Sequence, residues 1–309
     1  MSNAFIFPGQ GSQSLGMLSS FQNQPIITEA FQESSDALGY DLWALCQEGP
    51  EEQLNQTDKT QPALLTASVA LWRLWNEQSE TRPQVLAGHS LGEYSALVCA
   101  DVLSLGEAAS LVAARGEFMQ QAVPAGTGKM AAIIGLDDSA ILEACLAAEQ
   151  GEVVAPVNYN SPGQVVIAGN AAAVDRAMEE CKTRGAKRAL PLPVSVPSHC
   201  ALMKPAAEKL AEKLASVAFN SPSIDVINNV DVSIEQSQEA IKEALVRQLY
   251  SPVRWTETIS KIVSMSINSF VECGAGNVLS GLNKRIDRSI NSYPLLDSDK
   301  FSSAVDTLK

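Results

Sequence analysis

The residues that most restrict how this chain folds are Gly88-His89-Ser90-Leu91-Gly92, because of what stands on either side of them. Val85-Leu86-Ala87 is a short apolar run of strand character, and residues 91–100 read as a helix. A strand that passes into a helix through one serine, with glycine on both flanks, makes a sharp elbow in which flanking side chains would collide. The elbow lifts the serine oxygen above the first turn of the helix, where N–H groups favour a developing negative charge. A serine there also suits the plainer role of helix N-cap. The strand before and the helix after favour a nucleophile.

The same alternation of short apolar runs and amphipathic stretches continues along the chain and predicts an α/β protein. Residues 4–7 read as a strand that enters the turn-rich Pro8-Gly9-Gln10-Gly11-Ser12-Gln13, and residues 61–75 as a helix. Ser104 and Glu107 form a capping box for a helix running towards Gln121 and carrying Arg115. Between residues 126 and 197 the order changes: strand 130–136, helix 137–148, strands 153–157 and 164–168, a helix from Asn170 to Gly185, and strand 187–192. This β-α-β-β-α-β order predicts a ferredoxin-like subdomain at 126–197, with hinges near 124–128 and 191–197. Residues 1–125 and 198–309 form the larger α/β-hydrolase-like body, with a parallel sheet, the nucleophile elbow, a helix after Pro205 and strands at 224–230 and 269–273.

Charge and cysteine usage remove several function classes. Lys plus Arg number 22 against 35 Asp plus Glu, a net charge of −13, which repels phosphate backbones and anionic lipid. Nucleic acid and membrane surfaces are therefore excluded as partners. The six cysteines are scattered without a Cys-x-x-Cys pair, and with only two histidines a zinc cluster or disulfide framework is not expected. No run of 18 apolar residues occurs, and the N-terminus lacks a signal sequence, so the expectation is a soluble cytoplasmic protein without metal. No long apolar edge strand or heptad suggests an obligate assembly, and a monomer is expected. Gly126-Thr127-Gly128-Lys129-Met130 lacks the first glycine and the Ser/Thr of a phosphate loop, and Gly274-Ala275-Gly276 lacks the later glycine of a dinucleotide fingerprint.

A serine hydroxyl needs a general base. Only His89 and His199 offer an imidazole, and His89 is the immediate neighbour of Ser90 on a tight turn, where adjacent side chains diverge. By elimination His199, in Pro197-Ser198-His199-Cys200, is the candidate base; Cys200 beside it reads as a buried structural thiol. The serine-then-histidine order, with 110 residues after His199, differs from α/β-hydrolases, where the histidine comes last. No Asp is followed by Gly, which removes a patatin-like Ser/Asp dyad.

Six blocks then resemble one family in order and spacing, over residues 4–290. They are Phe7-Pro8-Gly9-Gln10-Gly11-Ser12-Gln13, Gln61-Pro62-Ala63, Gly88-His89-Ser90-Leu91-Gly92-Glu93, the helix bearing Arg115, Asn160-Ser161-Pro162-Gly163-Gln164 and Pro197-Ser198-His199. Together the chain resembles the bacterial malonyl-CoA:acyl carrier protein transacylases of fatty acid synthesis. The resemblance implies a malonyl ester on Ser90, with His199 as base and then acid, oriented by a carbonyl near Gln248 in place of the usual carboxylate. It implies an oxyanion hole from the backbone N–H groups of Gln10 and Leu91, and a substrate pocket with Arg115, Gln61 and Asn160. Arg115 would grip the malonyl carboxylate by two parallel hydrogen bonds that lysine cannot supply. CoA and phosphopantetheine enter as substrates, with no resident cofactor, and the partners are malonyl-CoA and acyl carrier protein. Ala275 stands where the family often has proline, and Ser198 where malonyl-selective modular synthase domains often carry Phe.

Two basic groups stand out from the acidic background. Lys182, Arg184, Lys187 and Arg188 form one, and Lys284, Arg285 and Arg288 the other. Either is a solvated face or a dock for acidic carrier protein or CoA phosphates, with Lys187, Arg188, Lys284 and Arg285 as its centre. A serine esterase or thioesterase and a non-catalytic acyl-binding protein are the competing readings; Arg115 argues against the first, and an adduct on Ser90 would exclude the second.

Overall fold

The computed structural model describes residues 2–124, 126–194 and 196–309. The chain opens with β1 (Asn3–Phe7), then α1 (Pro25–Leu38), α2 (Leu42–Glu48), α3 (Glu51–Leu54), α4 (Thr57–Gln78), β2 (Val85–Gly88), α5 (Leu91–Cys99) and α6 (Leu105–Ala122). A central stretch follows: β3 (Gly128–Ile134), α7 (Asp138–Ala148), β4 (Val154–Ser161), β5 (Gln164–Asn170), α8 (Ala171–Thr183) and β6 (Arg188–Pro191). The chain closes with α9 (Lys204–Ala215), β7 (Asp225–Ile227), α10 (Gln238–Gln248), α11 (Trp255–Ser264), β8 (Ser269–Glu272), α12 (Val278–Ile286), β9 (Asn291–Pro294) and α13 (Ser298–Leu308).

Two separate sheets result. The first is wholly parallel, in the order β7-β2-β1-β8-β9. Its central strands are covered on both faces, which is why they are continuous apolar runs rather than alternating ones. Phe5 and Phe7 point into the core under α4, where Phe5 meets Trp72 and Trp75 edge-on at 5.2 and 5.1 Å. Ala4 and Ile6 point the other way, into the cluster around Trp255 and Ile259. β1 and β2 are neighbours in register, Phe7 beside Gly88. The loop after β1 and the elbow after β2 therefore emerge side by side at the carboxyl edge, the usual place for a ligand in such sheets.

The second sheet is antiparallel, in the order β4-β5-β3-β6, with α7 and α8 packed on one face. Its other face carries Met130, Val157, Val166 and Ala168 and turns towards Cys200 of the larger body. The strand and helix order read from the sequence is present, with boundaries moved by a residue or more. The edge of β4 is bonded to the body: Tyr159 N–H donates to Val253 O at 3.0 Å, and Val253 N–H to Val157 O at 2.9 Å. The hinge segments expected at 124–128 and 191–197 each include a residue, Ala125 and Ser195, outside the described ones.

Some local expectations are corrected. Asn170 stands at the N-cap of α8 but caps nothing with its side chain, since its Oδ1 accepts from Val153 N instead. The strand expected over 224–230 stops at Ile227, because Asn228 Oδ1 accepts from the N–H groups of Val230 and Asp231 and turns the chain. The helix expected over 61–75 extends to Thr57–Gln78. The capping box of Ser104 and Glu107 is present.

Candidate active site

Ser90 sits at the N-cap of α5 with φ 53° and ψ −107°, a conformation that a non-glycine residue adopts only when its surroundings enforce it. Packing enforces it here. A Cβ on Gly88 would lie 1.9 Å from Gly92 C, and one on Gly92 would lie 2.0 Å from Phe7 O. A Cβ on Gly9 would lie 2.5 Å from His89 O, so the loop after β1 rests directly on the elbow. The Ser90 side chain makes no capping bond, which leaves its oxygen for other work.

That oxygen lies 2.8 Å from His199 Nε2, and His199 Nδ1 lies 2.7 Å from the backbone carbonyl of Gln248. A carbonyl only accepts, so Nδ1 carries the proton and Nε2 presents its lone pair to the serine hydroxyl. The backbone N–H of His199 donates to Leu249 O at 3.0 Å. Both acceptors belong to the end of α10, where carbonyls lack partners within the helix and the dipole is negative. A helix terminus thus does the orienting that a carboxylate does elsewhere. Burial, and next the Arg115 charge, push the His199 imidazole down to about 3 against the pull of the Gln248 carbonyl. It is therefore neutral near pH 7 and able to take a proton.

Arg115 is buried on α6. Its Nη1 donates to Gln61 Oε1 at 2.7 Å and its Nη2 to Gln248 Oε1 at 3.0 Å, while Nη2 also lies 3.4 Å from Ser90 Oγ. The guanidinium carbon lies 5.4 Å from the centre of the Tyr94 ring. Nε is buried without a hydrogen-bond partner. Gln61 therefore supports Arg115 from α4 rather than facing the cavity, and Gln248 serves twice, by its carbonyl and by its amide.

Two residues to which sequence reasoning gave no role complete the arrangement. Asn229, just beyond β7, accepts from Ser90 N at 2.7 Å and donates to Gly88 O at 2.6 Å, clamping the elbow from below. Glu93, one turn along α5, accepts at Oε2 from Asn229 N at 2.9 Å and from Gln248 Nε2 at 2.8 Å. Burial raises the Glu93 carboxyl to about 7, opposed by these hydrogen bonds and by Arg115. The available signal for Asn229 was an asparagine pair directly after an apolar strand, and for Glu93 a charge inside an otherwise apolar helix.

A cavity of about 230 Å³ opens over Ser90. Gln10, Leu91, His89 and Arg115 line it from the body, and Met130, Asn160, Val166, Leu192 and Val194 from the second sheet and the segment after β6. Leu91 heads α5, so its N–H has no carbonyl within the helix to bond. Asn160 Oδ1 and His89 Nε2 are 2.8 Å apart, which gives the histidine that is not the base a structural partner across the two sheets. Among the described residues no His, Cys, Asp and Glu cluster suited to a metal is found, and no helix is long and apolar enough to cross a membrane. All six cysteines are buried and free.

The basic residues lie outside the cavity. Lys182 and Arg184 are paired with Glu179 and Glu143. Lys187 and Arg188 are exposed, and Lys284 donates to Arg288 O and Ile290 O at 2.9 and 3.0 Å. Arg285 and Lys187 lie on one edge of the molecule. The Lys187 stem packs against Gly135, Gly135 N–H donates to Gly163 O at 2.7 Å, and the neighbouring Gln164 side chain accepts from Arg285.

The acyl transferase domain family matches residues 4–292. The malonyl CoA-acyl carrier protein transacylase of Salmonella typhimurium is 59% identical over 303 residues, covering 98% of this chain and 98% of its own. Among solved structures, a malonyl-transacylase in complex with its type II PKS acyl-carrier protein superposes with a TM-score of 0.98 at 57% identity, covering 99% of this chain and 100% of its own. The acyl carrier protein S-malonyltransferase of Vibrio cholerae gives a TM-score of 0.96 at 58% identity, with 100% of both chains covered.

Proposed function

This chain belongs to the acyl transferase family and, within it, to the malonyl CoA-acyl carrier protein transacylases; we propose that it carries malonyl groups on Ser90 from malonyl-CoA to the phosphopantetheine thiol of an acyl carrier protein. In the first half-reaction His199 Nε2 takes the Ser90 proton as Oγ attacks the thioester carbon. The oxyanion lies against the N–H groups of Gln10 and Leu91, both at the cavity wall. The tetrahedral species collapses, the C–S bond breaks, and His199 passes its proton to the departing sulfur, so that CoA leaves as the thiol and the imidazole is neutral again. In the second half-reaction His199 removes the proton of the carrier thiol, sulfur attacks the malonyl ester, and Ser90 recovers its proton. The ester would be flanked by an imidazole held at Nδ1 and a guanidinium held at both Nη atoms, so little reorganisation accompanies either half-reaction.

The observation that carries this reading is Arg115, a buried guanidinium 3.4 Å from the nucleophile. A hydrolase of neutral acyl chains has no use for it. Of its five N–H donors, two are taken by amide oxygens and Nε has no partner, so donors remain for a substrate carboxylate. CoA and phosphopantetheine act as substrates, and the chemistry asks for no resident cofactor.

The same reading extends to architecture and setting. Residues 1–125 and 198–309 are proposed as the α/β-hydrolase-like body and 126–197 as a ferredoxin-like subdomain; the β4-β5-β3-β6 order with both helices on one face supports the latter. A cytoplasmic monomer working in fatty acid synthesis fits the free buried thiols and a cavity complete within one chain. Intact mass spectrometry after mixing with malonyl-CoA tests the function. A malonyl increment is expected on the chain and absent from Ser90→Ala; no increment under any condition of pH or time would sink the proposal.

A further inference from the structure

The mechanism uses the Arg115 charge but leaves unexplained what balances it before substrate arrives. Glu93 is the one buried carboxylate connected to it among the described residues, only 2% exposed, on the helix that begins at the nucleophile. The connection is a single amide. Gln248 Nε2 donates to Glu93 Oε2 at 2.8 Å, while Gln248 Oε1 accepts from Arg115 Nη2 at 3.0 Å. This arrangement also fixes the amide, since the reverse orientation would set oxygen against carboxylate and NH2 against guanidinium.

The other charged and titratable groups around Glu93 are few. Asp231, in the loop after β7, is bound by Arg247 of α10 at 2.6 and 2.8 Å near the surface. Tyr94 is the neighbour on α5, with its hydroxyl held neutral by burial. His199, reached through the Gln248 carbonyl, is neutral as well. With Glu93 ionised and no substrate bound, the interior of the site therefore sums one positive and one negative charge. A malonyl carboxylate delivered to Arg115 adds a second negative charge where the medium screens poorly.

We propose that Glu93 is the resident counter-ion of Arg115 and takes up a proton from solvent when a substrate carboxylate replaces it, so that malonyl binding is coupled to proton uptake. The inference rests on the malonyl reading of the site. The charge sum is restored: Arg115 stays positive, the malonyl carboxylate stays negative, and Glu93 becomes neutral while its Oε2 still accepts from Gln248 and Asn229. The elbow geometry is thereby kept while the charge is exchanged. Glu93 is a positioning residue in this scheme, acting on substrate only through Arg115 and Gln248. Its carboxyl, raised to about 7 by burial, is already half-way to the protonated form at neutral pH.

The experiment is calorimetric titration of Ser90→Ala, which cannot be acylated, at pH 7 in two buffers of different ionisation enthalpy. The ligands are malonyl-CoA and CoA, so that proton exchange by the CoA phosphates cancels in the difference. A group that is half protonated when free and fully protonated when bound takes up about half a proton, which is the expected excess for malonyl-CoA. In Ser90→Ala/Glu93→Gln the excess disappears. Equal proton counts for the two ligands in Ser90→Ala, or an excess that survives in the double variant, would overturn the proposal. The Ser90→Ala measurement decides alone if the double variant fails to fold. Failure here with a malonyl adduct still forming on Ser90 of the unaltered chain rejects the Glu93 inference and leaves the transfer function standing.

Discussion

Two walls face each other over Ser90, and all the charged and proton-moving groups stand on one of them. The body brings Ser90, Arg115 and His199 to the cavity beside the apolar Leu91, Met119, Leu279 and Leu282, and buried Glu93, Asn229 and Gln248 behind them join the three in one hydrogen-bonded set. The wall from the second sheet carries no charge, with Met130, Val166, Leu192 and Val194, Asn158 beside them, and Asn160 as its tie to the elbow through His89. The parallel sheet brings several strand and helix ends to one edge, which lets distant residues converge with fixed orientation. The antiparallel sheet alternates its side chains, so one face serves its own core and the other is free to shape a cavity. Under the proposed function, charge handling and acid–base chemistry would fall to the first wall, and shape and exclusion of water to the second.

Removing Arg115 should expose this division most strongly. In Arg115→Ala the malonyl carboxylate enters a dry pocket unpaired, which costs several kcal/mol, so malonyl transfer should fall by about 100-fold or more. Acetyl transfer, which needs no counter-charge, should change far less. Measured malonyl and acetyl transfer rates give the ratio directly, and an unchanged ratio would remove Arg115 from the site. Arg115→Lys should recover little, because one ammonium cannot hold Gln61 and Gln248 and still present a planar pair of donors.

The uncharged wall should answer differently. Val166 is 7% exposed and lines the cavity, so Val166→Ala opens space without touching any group that moves a proton. Acylation by malonyl-CoA should stay within about two-fold of normal, while hydrolysis of the malonyl ester relative to transfer should rise roughly five-fold as water gains access. Following free malonate and malonyl-carrier product in one reaction checks this. A variant that instead lost acylation and kept its hydrolysis ratio would break the division between the walls.

What the sequence made legible follows the same line. Ser90 stood out because an elbow needs glycines at fixed offsets, and His199 because the chain has so few imidazoles. The β-α-β-β-α-β order was readable because short loops and strict alternation leave local marks. Asn229 and Glu93 left none of comparable strength. Asn229 matters through a bond to Ser90 N spanning 139 positions, and Glu93 through one to Gln248 spanning 155. Asn229 and Glu93 are ordinary polar residues until the fold joins them to those distant partners. Gln61 shows the complementary case: the resemblance implied a residue of the substrate pocket, whereas its Oε1 accepts from Arg115 and it does not line the cavity.

The smallest expected effect concerns the outer rim, outside both walls. Lys187 and Arg188 are exposed and carry no ion pair among the described residues, whereas Lys182 and Arg184 are neutralised by glutamates beside them. Contacts through Gly135, Gly163 and Gln164 place Arg285 on the same edge as Lys187, a local basic rim on a chain of net charge −13. An acidic carrier protein approaching this rim gains attraction mainly during encounter, which changes association rate more than chemistry. Lys187→Glu/Arg188→Glu should therefore lower kcat/KM for carrier protein by about three-fold at low ionic strength and leave acylation by malonyl-CoA unchanged. Screening contracts from about 30 Å at 0.01 M salt to about 8 Å at 0.15 M, so the difference should shrink as salt is added. Arg285→Glu should add a further loss of smaller size, because the potentials of charges on one edge superpose on an approaching partner and this variant changes one charge instead of two. No added loss from Arg285→Glu would separate the groups again, and an unchanged rate at low salt would take Lys187 and Arg188 out of the docking edge.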